Sequence, residues 1–530
     1  MTAVGAKLFV RQSSGLVRAV SAFDAFVYNL LWLNIGLGVG VTFILAPFLY
    51  PGGDIILATV VATVFAAIHC AVWALLAGAM PRSGGDYVFV SRTIHPLIGF
   101  VNNWTITILN IMTMVLAAHL FVSDGLSTAL AILGSVTGIT ALSDVSATIL
   151  DPWPQFLIGG GAIVVLTGVM MLFGLGYFRI QRILFVIGVV GIVLAALLLL
   201  FTSHDAVYAR LDALYGADTA KRTIDAARAA GAPSAAPSIG AFLGVIAITL
   251  FTMPWSFASA WIGGEVRHPG RSQLVAMVGS VVVGGLAIVI LGWLLLSRVG
   301  EDLLAASGYL FFTGAKSPIP APPYYHFWSS ILTTSGWIAG LIAIGWITWT
   351  FLWIPINLLS GSRNIFAWAF DRLVPERLAE VDDRTQTPVV ALAIVGFLAL
   401  VMFGVYAFTG VYFLTSFLAA SLFSLMVLDV AAIVAVYRRP DLLQRAPQAM
   451  RRVLGVPLLG LLGAISVLFF GVMLWFMLTD PVFGANSPAA FITWGVAYVT
   501  GFALWFGVRA YRRRRDGYDI GSLYQALPPE

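Results

Sequence analysis

Long apolar runs follow one another along almost the whole chain and leave little room for any other kind of structure. A helix that crosses a membrane needs about 20 apolar residues, and we count twelve candidate runs. Irregular backbone cannot face lipid, so each run is expected to be a helix. The runs cover 24–49, 55–79, 95–122, 154–174, 180–202, 239–263, 273–297, 330–356, 387–408, 410–437, 455–478 and 488–510. The sequence therefore predicts an all-α integral membrane protein with about twelve transmembrane helices.

Composition agrees with this prediction and excludes other classes. Hydrophobic residues make up 60% of the 530 positions and charged residues 10%, whereas a soluble domain carries about 25% charged residues. The basic residues are spread through short loops and form no single face, which argues against nucleic acid as a partner. Cys70 is the single cysteine, and no two histidines have metal-ligand spacing. Neither a disulfide nor a metal or other cofactor is predicted.

The basic residues divide unevenly between the two sets of loops. Twenty-three of the 29 Lys and Arg fall on the side that carries both termini. The other six are Arg210, Lys221, Arg222, Arg228, Arg298 and Lys316, in the loops 203–238 and 298–329. Because cytoplasmic loops hold the excess of positive charge, both termini are predicted to be cytoplasmic in a multi-pass protein of the cell membrane. Segments 1–23 and 512–530 are then cytoplasmic tails.

The first run contains an interruption near its middle. Residues 33–40 read LNIGLGVG, with Gly36, Gly38 and Gly40 at alternate positions. Each glycine weakens a helix by about 1 kcal/mol relative to alanine. Glycines also let membrane helices pack closely, which is the alternative interpretation. We expect an interruption whose binding residues include Asn34, Ile35, Gly36, Leu37, Gly38 and Gly40.

The sixth run contains a second interruption. Residues 250–257 read LFTMPWSF, and Pro254 removes a backbone donor and clashes with the preceding turn. Paired interruptions in the first helix of each five-helix half indicate an inverted-repeat transporter with its substrate site at the breaks. Freed amides favour an anion and freed carbonyls an ammonium or a metal cation, so a zwitterion suits such a site. The second break contributes Phe251, Thr252, Met253, Pro254, Trp255, Ser256 and Phe257 as candidate binding residues.

Three segments resemble a known family. Residues 80–92, MPRSGGDYVFVSR, resemble the segment after the second helix of amino acid–polyamine–organocation permeases, and residues 265–271, EVRHPGR, resemble that family's acidic segment after helix six. Ser362, Arg363 and Asn364, together with the following residues up to Thr387-Pro388, resemble its stretch from helix eight to helix nine. The resemblance covers 24–437.

The resemblance implies the leucine-transporter fold, a ten-helix core at 24–437 built from inverted repeats at about 24–202 and 239–437. Two further transmembrane helices follow within 438–511. The match departs from the family at Val39 and Gly40, where Ile-Phe is usual, and at Trp255 and Ser256, where a Gly-aromatic pair is usual. Trp255 or Phe257 could supply the aromatic gate over the substrate.

Polar side chains form a stripe on the third predicted helix. Asn103, Thr107 and Asn110 are followed by Met114 at helical spacing, so they face the bundle. They line the solute path or form interhelical hydrogen bonds, which are worth about 0.6 kcal/mol each. The stripe as a whole favours the path.

Three residues are candidates for ion coupling with Na⁺ or H⁺. Asp429 lies nine residues before Arg438, about 13 Å into the tenth helix. It is a candidate proton carrier or, as we favour, a carboxylate near the cytoplasmic end that pairs with an inner arginine. Thr348 and Thr350 could contribute oxygens to a sodium site. Helix five has no lysine, so the lysine that serves proton-coupled members of the family there is absent.

Charged residues of the inner loops are candidates for a gate. Arg82, Asp86 and Arg92 lie in the first inner loop, and Glu265, Arg363 and Asp371 lie on the same side. They form a network that closes the inner end, or they are ordinary solvated charges worth about 0–1 kcal/mol a pair. The resemblance favours a gating role for Arg82 and Glu265.

Together these features predict a secondary transporter of amino acids or related organic amines that works by alternating access. Its predicted partners are a small-molecule substrate and the lipid bilayer, with no obligate protein partner evident. The alternatives are transport of a polyamine, nucleobase or inorganic cation on the same fold, or a non-transporting membrane sensor. An enzyme is not predicted, since no buried cluster of ionisable residues is evident apart from Asp429.

Overall fold

The computed structural model describes residues 15–411, 417–517, 519–525 and 527. Nearly all regular structure in these residues is helical. The strands β1 (Arg452–Val453) and β2 (Val456–Pro457) form one short antiparallel hairpin. The predictions for 1–14 and for the start of the tenth run at 412–416 lie outside the described residues.

The α-helices of the first half of the chain cover the predicted runs, and several shorter helices lie outside them. They are α1 (Ala22–Leu33), α2 (Ile35–Leu49), α3 (Ile55–Ala79), α4 (Asp86–Thr93), α5 (Pro96–Leu120), α6 (Thr128–Thr137), α7 (Thr140–Thr148), α8 (Pro152–Gln155), α9 (Gly161–Phe173), α10 (Tyr177–Leu200), α11 (His204–Tyr215) and α12 (Thr219–Ala229). π-Helical turns at Phe121–Ser127 and Phe156–Gly160 continue two of them.

The second half has the same character. Its helices are α13 (Ile239–Thr249), α14 (Pro269–Val299), α15 (Glu301–Thr313), α16 (Tyr325–Ser330), α17 (Gly336–Phe351), α18 (Trp353–Phe370), α19 (Val389–Thr409), α20 (Phe417–Arg438), α21 (Leu458–Thr479) and α22 (Pro488–Asp516). Short 3-10 turns lie at Gly174–Gly176, Met253–Trp255, Ala258–Ala260, Glu376–Ala379, Pro440–Leu443, Pro447–Met450 and Ile520–Gln525.

Ten helical stretches of the described residues are long and apolar enough to cross a membrane, or eleven if the bent pair Ile239–Thr249 and Met253–Ala260 counts as a span. One stretch, Pro152–Leu200, is 49 residues long and contains α9 and α10. The chain is therefore an all-helical, multi-pass membrane protein. The number of twelve spans stays a prediction.

Two predicted boundaries are wrong. The third run was expected to end at 122, but π-helical residues carry the helix on through α6 to Thr137. The eighth run was expected to end at 356, but α17 stops at Phe351 and α18 continues to Phe370. In both cases polar residues extend the helix because the bundle buries them, and an apolar count does not register them.

Small residues let the helices approach closely. Gly191 of α10 faces Gly345 of α17, and a Cβ on either would lie 2.7 Å from the other's Cα. In α14, a Cβ on Gly285 would lie 2.2 Å from Thr63 of α3. Such contacts suit membrane helices, whose association depends on van der Waals packing.

Both ends of the described chain lie at one end of the bundle. Val20 N donates to Glu265 O over 2.9 Å, and the hydroxyl of Tyr524 is hydrogen bonded to that of Tyr87. The backbone of Gly84 bonds to Trp261, which joins the two places. We call this the terminal end of the bundle and the other the opposite end.

Candidate functional site

The first predicted break is present, but at Asn34 and not at the glycines. Asn34 adopts left-handed angles, φ 55° and ψ 84°, between α1 and α2. Its Oδ1 accepts from Leu37 N (3.1 Å), and its Nδ2 donates to Trp349 O (2.9 Å). Asparagine tolerates this conformation because its short side chain bonds locally to backbone. The break thus has both a conformational cause and a fixed geometry.

The glycines of the first break lie inside α2, which runs through all three of them. A Cβ on Gly36 would lie 3.0 Å from Trp349, and one on Gly38 would lie 2.5 Å from Ile288. A Cβ on Gly40 would lie 3.1 Å from Tyr324. The glycines themselves do not interrupt the helix. Each weakens it by about 1 kcal/mol relative to alanine, which is less than the stabilisation that packing of the helix against its neighbours supplies. Their small size brings α2 close to its neighbours.

The second predicted break is present where it was expected. Helix α13 ends at Thr249, two 3-10 turns follow, and the two parts are bent by 40°. Pro254 lies at the start of the first 3-10 turn, where its missing N–H costs little. The indole of Trp255 donates to Phe251 O over 3.1 Å and bridges the irregular segment.

A cavity of about 480 Å³ lies beside the two breaks, towards the opposite end of the bundle. Helix α2 contributes Leu37 and Gly40 to its wall, and the end of the sixth span contributes Phe251. Most of the remaining lining is aliphatic or aromatic. An apolar pocket with a few polar groups is the usual form of a small-molecule site.

The aromatic residues that border the cavity are not those predicted as a gate. Phe257 stacks on Trp73, with ring centroids 3.9 Å apart, and Trp255 lies beside Trp32 at 6.0 Å. Neither is among the lining residues; Phe251 and Tyr324 are. The irregular backbone turns the two predicted side chains into the core, which sequence spacing alone does not reveal. Thr252, Met253 and Ser256 are also buried.

Asp124 is an acidic lining residue that the sequence analysis missed. It lies in the π-helical turn after α5, and its carboxylate accepts hydrogen bonds from Ser123 Oγ (2.6 Å) and from the hydroxyl of Tyr324. Its backbone carbonyl accepts from the indole of Trp346. One signal in the sequence could have indicated Asp124, since it lies only two positions beyond 122, the predicted end of the third apolar run.

The polar stripe of the third helix is used for contacts between helices. Asn103 Nδ2 donates to Asp86 (2.9 Å), and its Oδ1 accepts from Trp368 (2.7 Å). Thr107 accepts from Asn364 (2.9 Å), and Asn110 is buried on the same helix. None of the three is among the residues that line the cavity. The geometry matches interhelical hydrogen bonding, the alternative to a solute path.

At the terminal end, a buried ion pair joins the irregular segment after span six to α18. Glu265 accepts from Arg363 at 2.6 and 3.0 Å, and both side chains are 1% exposed. Above it, Tyr28 of α1 bonds to Ser360 (2.6 Å). Both contacts link α18 to other segments at the terminal end.

The other charges of the expected network form separate groups. Asp86 is bonded by Asn102, Asn103 and Trp261, and burial raises its pKa to about 6 although those three hydrogen bonds lower it. Arg82 donates to the carbonyl of Pro81.

Arg92 pairs with Asp371 at 2.6 Å, and Tyr87 donates to the same carboxylate at 2.8 Å. The ring of Tyr524 lies 4.5 Å from the guanidinium of Arg92. This second ion pair is also fully buried. The terminal end thus contains two buried ion pairs, Glu265–Arg363 and Arg92–Asp371. Arg363 lies in α18, and Asp371 directly follows it.

The expected arginine partner of Asp429 is wrong. Asp429 is fully buried, and its carboxylate bonds to His69 Nδ1 of α3 (3.0 Å) and to Ser466 of α21 (2.7 Å). Depth along α20 explains the difference, because Arg438 lies at the far end of that helix. The hydroxyls of Thr348 and Thr350 donate to carbonyls of their own helix, at 2.8 and 2.9 Å.

Comparison with known proteins gives two matches. The sequence profile of a family described as "Amino acid permease" matches residues 25–498. The branched-chain amino acid permease BcaP of Bacillus subtilis (strain 168) is 23% identical over 457 residues, which cover 86% of this chain and 87% of that protein. The matched residues include both breaks and most of the cavity wall.

Proposed function

This chain belongs to the amino acid permease family, within the amino acid–polyamine–organocation superfamily, and on that basis we propose that it is a secondary active transporter. It moves amino acids or related organic amines by alternating access. Membership in a family of permeases identifies a transporter and not an enzyme. The observation that carries the proposal is the cavity, because residues next to both helix breaks line its wall.

The proposed architecture has two inverted repeats, at about 24–202 and 239–437, with two added helices at 438–511. The breaks at Asn34 and at 250–253 fall in the first helix of each repeat. Inverted-repeat transporters bind substrate at such paired breaks. In the proposed site, α2 and residues 247–251 form one side of the cavity, through Leu37, Gly40, Ala247, Ile248 and Phe251.

The proposed substrates are amino acids with apolar side chains. Leu37, Leu116, Ile248 and Phe251 supply an apolar wall large enough for a small side chain. The similar protein named a branched-chain amino acid permease supports this choice. Polyamines, nucleobases and inorganic cations fit an apolar wall less well.

The proposed transport cycle separates the contacts at the terminal end. In this conformation the pair Glu265–Arg363 and the bond between Tyr28 and Ser360 close that end, while the cavity lies towards the opposite end. Opening of the terminal end requires the side chains of Glu265 and Arg363 to separate and to be hydrated. Positive charge in the loops at the terminal end supports a cytoplasmic location for both termini.

The proposed coupling ion is a proton carried by Asp429. Trp73 Nε1 donates to His69 Nε2 (2.9 Å), so the ring proton is on Nδ1 and the imidazole is neutral. Asp429 therefore has no cationic partner among its hydrogen-bond partners, His69 and Ser466. Intramembrane carboxylates of this kind are characteristic of proton relays. The alternative is sodium, with oxygens from the α17 hydroxyls Thr348 and Thr350.

Uptake into liposomes tests the proposal. Purified protein is reconstituted, and accumulation of radiolabelled leucine, lysine, putrescine and uracil is followed with an imposed proton or sodium gradient. We expect gradient-driven accumulation of leucine above that of the other three. Accumulation of none of them, in a protein that binds leucine, would favour a sensor.

A further inference from the structure

Asp124 places one carboxylate in the wall of an otherwise apolar cavity. The α-helix α5 changes to a π-helical turn at Phe121–Ser127, and Asp124 lies within this turn. π-Turns add a residue to a helix and are frequent at functional sites. No Lys or Arg of the described residues forms an ion pair with Asp124. The cavity wall also contains a histidine, His119, five residues before Asp124.

The histidine of the cavity wall, His119, is hydrogen bonded to a neighbouring polar side chain. Its Nδ1 lies 2.9 Å from the side-chain amide nitrogen of Gln155. Ser123 and Tyr324 donate neutral hydroxyls to the Asp124 carboxylate. These hydroxyls orient the carboxylate and carry no charge themselves. Asp124 is partly exposed, and a carboxylate with two neutral donors can accept further hydrogen bonds from an ammonium group.

Aromatic rings hold this carboxylate in place. Tyr324 stacks on His326 (centroids 5.7 Å apart, planes 16° apart) and lies 5.0 Å from the ring of Trp346. Trp346 in turn bonds to the Asp124 backbone, and Gly40 of α2 lies directly against both rings. The carboxylate is thus held on the side of the cavity where Gly40 and Tyr324 line the wall.

We propose that Asp124 binds the ammonium group of the substrate in this cavity, while the apolar part of the substrate lies against Leu116, Ile248 and Phe251. The ligand class is a small primary amine with an apolar body, and its carboxylate is not needed for this contact. The inference rests on the proposed function in one respect, since it takes the cavity as the substrate cavity. It adds the group that recognises the amine, on a helix that has neither break.

Three probes of one carbon skeleton test the site in the purified full-length protein. They are leucine, 3-methylbutylamine, which lacks the carboxylate, and 4-methylpentanoate, which lacks the amine. Binding is measured by calorimetry and by ligand-dependent thermal stabilisation, which rises with occupancy. We expect leucine and 3-methylbutylamine to bind competitively and 4-methylpentanoate not to bind.

Asp124→Asn should weaken the binding of both amines at least tenfold. Tyr324→Phe should weaken it several-fold, because the carboxylate loses a donor that orients it. The matched control is Asp144→Asn, which removes an exposed carboxylate in α7 and should bind as wild type does. A folded Asp124→Asn protein that binds both amines with wild-type affinity overturns the proposal. Stabilisation by NaCl over choline chloride that requires Asp124, with amine binding unchanged, assigns the carboxylate to a metal cation and also overturns it.

The site and the transport proposal fail separately. If wild-type liposomes accumulate leucine and Asp124→Asn keeps wild-type affinity, only the ammonium site is wrong. If 3-methylbutylamine binding depends on Asp124 but wild-type liposomes accumulate no amino acid or amine, transport is wrong and the site stands. Wild-type protein that binds neither amine overturns the site whatever the transport result.

Discussion

Asp429 of α20 and His69 of α3 are hydrogen bonded in the interior of the bundle, with Oδ2 and Nδ1 3.0 Å apart, although 360 positions separate them in the chain. The far nitrogen of the same imidazole accepts from Trp73, whose ring stacks on Phe257 in the irregular part of span six. Three side chains in contact, those of His69, Trp73 and Phe257, thus connect Asp429 to the second helix break.

Asp429→Asn should abolish proton-driven leucine accumulation and leave leucine exchange intact. Asparagine has nearly the same shape but takes up no proton at neutral pH, so substrate would still cross without coupling. Accumulation and counterflow in the same liposomes measure the two activities. Ser466→Ala is the control, since it removes a neutral hydrogen bond to the same carboxylate. Accumulation at the wild-type level in Asp429→Asn would leave the carboxylate with a structural role only.

Glu265→Gln should destabilise the closed terminal end much more than Glu376→Gln. Removing one partner of a buried ion pair costs about 3–5 kcal/mol because the other charge stays buried. The pair Arg372–Glu376 is partly exposed, and such pairs contribute about 0–1 kcal/mol. Thermal unfolding in detergent compares the two variants. The double variant Glu265→Gln, Arg363→Met should recover part of the loss, and equal melting temperatures for the two single variants would contradict the argument.

Substitutions at Asn34 should rank in the order wild type, glycine, alanine for both stability and transport rate. Asn34→Gly keeps access to the left-handed conformation but loses two hydrogen bonds, each worth about 1 kcal/mol. Asn34→Ala loses the same bonds and adds about 1–2 kcal/mol of backbone strain. Melting temperature and initial uptake rate measure the effect. An alanine variant equal to the glycine variant would show that the left-handed conformation is not required.

Gly36→Leu should reduce the yield of monodisperse protein before any effect on transport can be measured. A Cβ at this position would lie 3.0 Å from the Cβ and Cγ of Trp349, close to the backbone of α17, where little can move. Gly38→Ala is the milder comparison, since the atom it meets is the mobile end of Ile288. Size-exclusion profiles of the two variants decide this. A well-folded Gly36→Leu protein without substrate binding would support a site at the glycine backbone instead.

Cysteine labelling should place the terminal end in the cytoplasm. In a Cys70→Ala background, Arg384→Cys should react with an impermeant maleimide only from the cytoplasmic side and Val145→Cys only from outside. Both positions are exposed, whereas Ala485 is buried and unsuitable for this purpose. Reaction of both cysteines from the same face would contradict the proposed topology.

Patterns that depend on local physics were predictable from the sequence. Apolar length fixed the helices, and Pro254 marked the second break correctly, because proline acts on the backbone at its own position. The first break lies within the predicted segment 33–40, but the predicted cause was the glycines. Asn34 was not recognised as the cause because its side chain bonds to a residue 315 positions away. Asp124 and the partner of Asp429 were missed for the same reason. Their environments are made by helices distant in sequence, and no local pattern encodes those contacts.

The cluster of Arg92, Asp371 and Tyr524 has a consequence for biosynthesis. The two tyrosines at this cluster, Tyr87 and Tyr524, are 437 positions apart, and the carboxylate of Asp371 is 279 positions from Arg92. With the proposed cytoplasmic location of the terminal end, Arg92 is a hydrated cation on the side of synthesis while the first spans enter the membrane. Only after translation of both later segments is it dehydrated between a carboxylate and a ring. The burial of this arginine thus depends on segments of the chain that are translated long after its own.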